Sequence, residues 1–137
     1  MSDAKTVTCR FFEAADQGRT PVELCGSGFT AHFSGLPVMD LESFDEFEAM
    51  IRAAFSGIRH DIAELVAEGD TVAVRLKFRG THTGEFMGTG ATGKHAAVDG
   101  TAFLHISGGK VTQLWGFLDQ FGLLQQIGAL PAPGQAA

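Results

Sequence analysis

Between Thr71 and His82 the chain alternates. Val72, Val74, Leu76 and Phe78 hold even positions, while the charged Arg75, Lys77 and Arg79 hold odd ones. A period of two belongs to an extended strand, here with one face buried and one wet. A strand that is wet on one side belongs to an antiparallel sheet. Glu68-Gly69-Asp70 supplies a turn into it from a strand expected at 60–67. A Gly-rich connection at 83–94 leads to strands expected at 95–107 and 111–119, joined at Gly108-Gly109.

The earlier part of the chain carries a different period. Val7, Phe11, Ala14 and Ala15 recur at helical spacing, which predicts a helix over 3–17 stopped by Gly18. Pro21 to Leu24 suits a second, short helix with Pro in its first turn. Gly26 and Gly28 break the chain before a strand at 29–33. Ser43 and Glu46 have capping-box spacing at the head of a helix over 43–55, ended by Gly57. Its stripe of Phe44, Phe47, Ile51, Ala54 and Phe55 reads as core. A short helix at 121–127 follows the last strand, with Gly128 as its stop. Helices followed by reversing strands predict an α+β domain, with helices on one face of a curved antiparallel sheet.

With 137 residues, this is one domain over 1–130 and a flexible tail at 131–137 too poor in apolar groups to pack. The net charge of −6 and the lack of a Lys/Arg cluster argue against a nucleic-acid partner. No apolar run reaches membrane-spanning length, so no membrane partner is expected. Nothing at the start suggests secretion, and Cys9 and Cys25 read as reduced thiols of a cytoplasmic protein. The five His show no close spacing of the kind a metal site needs, so no metal is expected. Gly88 to Lys94 has phosphate-loop spacing, but His95 follows and a strand replaces the helix that would hold phosphate.

AEGDTVAVR at 67–75, GTHTGEFMGTGATGK at 80–94, GGKV at 108–111, Trp115 with Asp119, and LLQQIG at 123–128 together resemble the SnoaL-like polyketide cyclase (ester cyclase) family. The resemblance runs over about Val7 to Gly128. It implies the cone-shaped α+β barrel of the nuclear transport factor two-like superfamily, with the sheet wrapped around the N-terminal helices. It further implies a small-molecule pocket, commonly a homodimer, and no metal or organic cofactor. The family's aromatic cyclases close a ring by aldol condensation, using an Asp as base with a His and polar amides assisting.

Laid on that pattern, the base position holds Gly116 and the assisting His position Ala102. One amide position holds Gly100 and another, on the early strand, Ala31. A glycine takes no proton and an alanine gives none, so that mechanism does not transfer. No Tyr is present either, so an oxyanion hole built on a phenol is excluded. The same comparison sets residue 102 opposite 116. Gly100, Ala102, Leu104, Ile106, Leu114, Gly116 and Leu118 then share an inner face, and Phe103, His105, Trp115 and Phe117 an outer one. The competing register, one bulge away, puts those rings and Asp119 inside.

From the first register follows an apolar ligand pocket to which Phe29, Phe33, Phe78, Ala102, Leu104, Leu114 and Gly116 contribute. The outer rings are then the expected homodimer interface. His82 and Asp119 are the candidate catalytic pair, imidazole as acid or base beside a carboxylate. Each also has a plainer role open to it: a His bonded locally in a turn, and a cap for the last helix. His95 and Asp99 share that end, and His32 and His60 carry no distinguishing signal. Two functions remain open: an acid–base enzyme acting on an apolar carbonyl compound, and a binding or carrier protein that keeps the pocket without the chemistry.

Overall fold

In the computed structural model, which describes residues 3–131 and 134, three helices pack on one five-stranded sheet. The tail expected at 131–137 falls almost wholly outside the described residues. The helices are α1 (Ala4–Asp16), α2 (Leu41–Ala54) and α3 (Gln120–Gln126). The strands are β1 (Cys25–Phe33), β2 (Phe55–Glu68), β3 (Thr71–His82), β4 (His95–Ser107) and β5 (Lys110–Leu118). A 3-10 turn, Val22–Leu24, precedes β1.

The sheet runs β1-β5-β4-β3-β2. Strands β2 to β5 form the expected antiparallel meander, but β1 lies parallel to β5. The sheet is therefore mixed and unclosed, a correction to the all-antiparallel expectation. No hairpin fixes the direction of β1, because α2 and three strands separate it from β5 in the chain. Strand β1 is also longer than its glycines suggested. Gly26 does not break it; a Cβ there would lie 3.2 Å from the Thr112 side chain, so the missing side chain permits close pairing with β5.

Helix α2 starts before its predicted capping box. Asp40 is the cap, its carboxylate accepting from the Ser43 N–H at 2.9 Å, and Leu41 is already helical. The helix ends when Phe55 turns extended. Gly57, expected to stop it, instead sits in β2 at φ 64°, beside a register shift between Ser56 and Arg59. A second shift falls between Ile62 and Glu64.

The β4–β5 register decides which face is inside. Ala102 pairs with Gly116, Phe103 with Trp115 and Leu104 with Leu114. Leu104 is fully buried, whereas Phe103 and Phe117 are 45% and 48% exposed. The competing register is excluded. Among the described residues no helix is long and apolar enough to cross a membrane.

Candidate functional site

Helices α1 and α2 do not lie flush on the sheet. Beneath them is a cavity of about 150 Å³. Its walls are mostly apolar: Phe11 and Phe12 from α1, Phe47 and Ile51 from α2, Phe33 at the end of β1, and Leu76, Phe78, Ala102, Leu114 and Gly116 from the sheet. Leu123 of α3 and Phe86 of the 83–94 loop complete it. The volume is of the order that holds a benzene-sized ring.

Of the expected pocket residues, Phe33, Phe78, Ala102, Leu114 and Gly116 line this cavity. Phe29 and Leu104 do not; both are buried in the core beside it. Phe29 packs its ring against Phe44, 5.3 Å away. Gly116 has no room for a side chain as the wall stands. A Cβ there would lie 2.5 Å from the Phe33 ring, which is itself packed on Phe47 at 5.0 Å.

Of the polar lining residues, Ser34, Thr101 and Gln120 are uncharged, and Glu48, Arg52 and His60 lie near one another. Asp16 is the last residue of α1, and His60 is in β2 between the two register shifts. The His60 ring donates from Nδ1 to Asp16 Oδ1 at 2.7 Å, and the His60 backbone N–H donates to the same oxygen at 2.9 Å. The ring is held by Phe12 and Phe78, at centroid distances of 5.4 and 5.5 Å. Its other nitrogen, Nε2, makes no hydrogen bond among the described residues. Glu48 of α2 faces the same space, with Arg52 one turn on. Burial against apolar side chains pushes the Glu48 carboxyl upward, and His60 and Arg52 only partly oppose this.

Sequence reasoning missed this group because its members come from three elements with no shared motif. Two signals were present. Asp16 is a carboxylate at a helix C-terminus, where the dipole disfavours it, and Gly57 marked a bulge just before His60.

His82 and Asp119 lie elsewhere and neither lines the cavity. His82 is fully buried and serves the 83–94 loop: its Nδ1 accepts from the Thr92 N–H at 3.2 Å and lies 2.9 Å from the Thr92 hydroxyl. Its backbone closes the same loop, through His82 N–H to Lys94 and Gly93 N–H to His82. Asp119 is exposed and caps α3, accepting from the Gly122 N–H at 2.9 Å. The paired imidazole and carboxylate expected of these two are found instead at His60 and Asp16. His95 and Asp99 stay at the surface, Asp99 paired with Lys77 at 3.2 Å. Among the described residues no group of three or more metal-ligating side chains is present.

The comparisons with known proteins come from sequence and from fold. The model of the family described as SnoaL-like polyketide cyclase matches residues 10–127. No curated protein matches the sequence. Among solved structures, AclR from Streptomyces galilaeus, a proposed hydroxylase, superposes with TM-score 0.85 at 22% identity, over 94% of this chain and 83% of that one. IdmH from Streptomyces antibioticus, a proposed polyketide cyclase, gives 0.82 at 24% identity, over 93% and 99%. A SnoaL-like polyketide cyclase from Agrobacterium tumefaciens strain C58 gives 0.72 at 18% identity, over 93% and 100%. At these identities the structures speak for the fold alone.

Proposed function

Because the chain belongs to the SnoaL-like polyketide cyclase family, we propose that it holds a compact, mostly apolar small molecule in the cavity beneath α1 and α2. One observation carries this reading: the cavity is mostly apolar, and its charged and imidazole side chains, Glu48, Arg52 and His60, come from α2 and β2, with Asp16 behind His60. A ligand with an apolar body and one polar end, such as a carbonyl compound, matches such a lining. The family's aromatic cyclase step is not part of the proposal. Its base and assisting His fall on Gly116 and Ala102, and the Phe33 ring fills the space a side chain at 116 would need. Loss of those two groups also favours a second reading, in which the protein binds and carries its ligand unchanged.

The protein acts as a homodimer through the outer sheet face. Val66, Ala73, Phe103, Trp115 and His32 form one register row across all five strands. Trp115 is flanked by His32 at 4.7 Å and His105 at 4.8 Å. Next to this apolar band the face is wet, with Asp61–Arg79 and Glu64–Arg75 ion pairs at 2.6 Å. An aromatic band bordered by charge has the make-up of an interface core and rim. Cys9 and Cys25, both free thiols, fit a cytoplasmic setting.

Mass spectrometry of small molecules released from the purified protein tests the pocket. A ligand should be recovered from the wild type and lost from Ala102→Phe, which fills the cavity. Recovery undiminished in that variant would contradict the reading.

A further inference from the structure

We propose that Asp16, His60 and Glu48 form a proton-transfer site at the cavity, acting on a carbonyl compound held there. The proposal rests on the cavity being a ligand pocket. It adds a reaction and the groups that carry it, which come from α1, α2 and β2 and not from β4 and β5.

The geometry assigns the roles. Asp16 Oδ1 accepts from His60 Nδ1 at 2.7 Å, which keeps the imidazole proton on Nδ1 and leaves a lone pair on Nε2. Asp16 also accepts from the His60 backbone N–H, so ring and main chain are fixed by one oxygen. Nε2 has no partner among the described residues and is not sealed in the core, since His82 Nε2 is the buried nitrogen left unpaired there. The imidazole thus offers a base to the cavity, oriented by a carboxylate. Glu48, from α2, has no hydrogen-bond or ion-pair partner among the described residues. It offers an acid: its walls disfavour the carboxylate, with His60 and Arg52 opposing that and Asp45 adding to it. A base on β2 and an acid on α2 that face one cavity can move a proton off one atom of a bound carbonyl compound and onto another.

Local structure is spent on this placement. A carboxylate at the end of α1 works against the helix dipole. His60 lies between two register shifts of β2, and such shifts re-aim side chains. Local rules broken at one point, by residues that meet there, mark a functional site.

The step balances without a further reagent. His60 Nε2 takes a proton from the carbon next to the carbonyl. The C–H electron pair forms the C=C bond, the carbonyl π pair moves to oxygen, and Glu48 gives its proton to that oxygen. The enol, a Glu48 carboxylate and a His60 imidazolium result. The His60 imidazolium then returns a proton to the same or a conjugated carbon while the enol O–H gives its proton back to the Glu48 carboxylate, which restores the carbonyl and both residues. His60 and Glu48 touch the reacting atoms; Asp16 is a positioning residue. Arg59 stands beside that corner, its guanidinium 3.9 Å from the Asp16 carboxylate and 3.9 Å from that of Asp61.

The test uses acetophenone in D2O, with exchange of its methyl protons followed by NMR, together with ¹⁵N spectra of the His60 imidazole. The wild type should accelerate exchange over buffer, and His60→Gln and Glu48→Gln should each lose roughly 100-fold. Asp16→Asn should lose about tenfold and shift the pH profile, because an amide does not hold the imidazole proton in place. The wild-type imidazole should carry its proton on Nδ1 with Nε2 bare. Three results overturn the proposal: acetophenone bound, as seen in the Ala102 and Gly116 amide shifts, yet exchanging at the buffer rate; His60→Gln as fast as wild type; or a wild-type imidazole protonated on Nε2 alone. Acetophenone that leaves those amides unmoved counts against the pocket reading for aryl ketones, and the imidazole spectrum then decides the site by itself.

Discussion

At the scale of residues, Glu48 and Gly84 make opposite demands on the chain. Glu48 is a carboxyl raised by its apolar surroundings. Its folded-state pKa lies above its unfolded one, so the folded state holds more protons in the interval between them. Stability then falls as pH rises from the unfolded value of about 4.3 toward the folded one. Glu48→Gln removes that cost. It should be neutral at pH 4 and raise the melting temperature by a few degrees at pH 8, on the order of 1 kcal/mol, read by thermal denaturation at both. An equal effect at both pH values would place Glu48 in water. Gly84 is fixed by contact: a Cβ there would lie 2.0 Å from the Ala53 carbonyl oxygen. The Thr83 and Gly84 N–H groups both donate to Ala54 at 3.0 Å, joining the loop to the end of α2. Gly84→Ala should cost about 2–4 kcal/mol in chemical denaturation, since neither backbone can give way.

Elements show what the sequence could and could not reveal. Strands β3 and β4 were legible to the residue, because each keeps one parity from end to end. Strand β2 was not. Its inward residues change from even to odd across the shift at Ile62/Glu64: His60 and Ile62 pair with Phe78 and Leu76, then Leu65 and Ala67 with Val74 and Val72. No period survives that, and His60 was lost with it. His82 stood out because it ends a clean strand in a motif, yet its bonds are those of a loop anchor. Asp119 caps α3, the plainer of the two roles its sequence left open. The LLQQIG segment has a structural reason that sequence alone did not supply. The Gln126 side chain accepts from the Ala97 N–H at 2.7 Å and donates to the Ala97 carbonyl at 3.0 Å, continuing the ladder where β5 stops. Gln126→Ala should cost about 1 kcal/mol and speed hydrogen exchange at the Ala97 amide while leaving β2 amides unchanged.

For the whole molecule, the sheet separates two tasks. Its inner face and the helices enclose the cavity; its outer face carries the aromatic band beside a field of ion pairs. Charges set into that band should separate the dimer without touching the pocket. Phe103→Glu with Val66→Glu, neither of which lines the cavity, should sediment as a monomer where the wild type sediments as a dimer, with ligand recovery retained; a wild-type monomer at the same concentration would contradict the dimer. A crystal structure with acetophenone bound reads the pocket and its charged residues together. The phenyl ring should lie among Phe33, Phe78 and Leu114, the carbonyl oxygen within roughly 3.2 Å of the Glu48 carboxyl, and the methyl carbon facing His60 Nε2. A ketone seated on the outer face, or one whose oxygen turns toward Gly116 with His60 directed away, would contradict the proposed site.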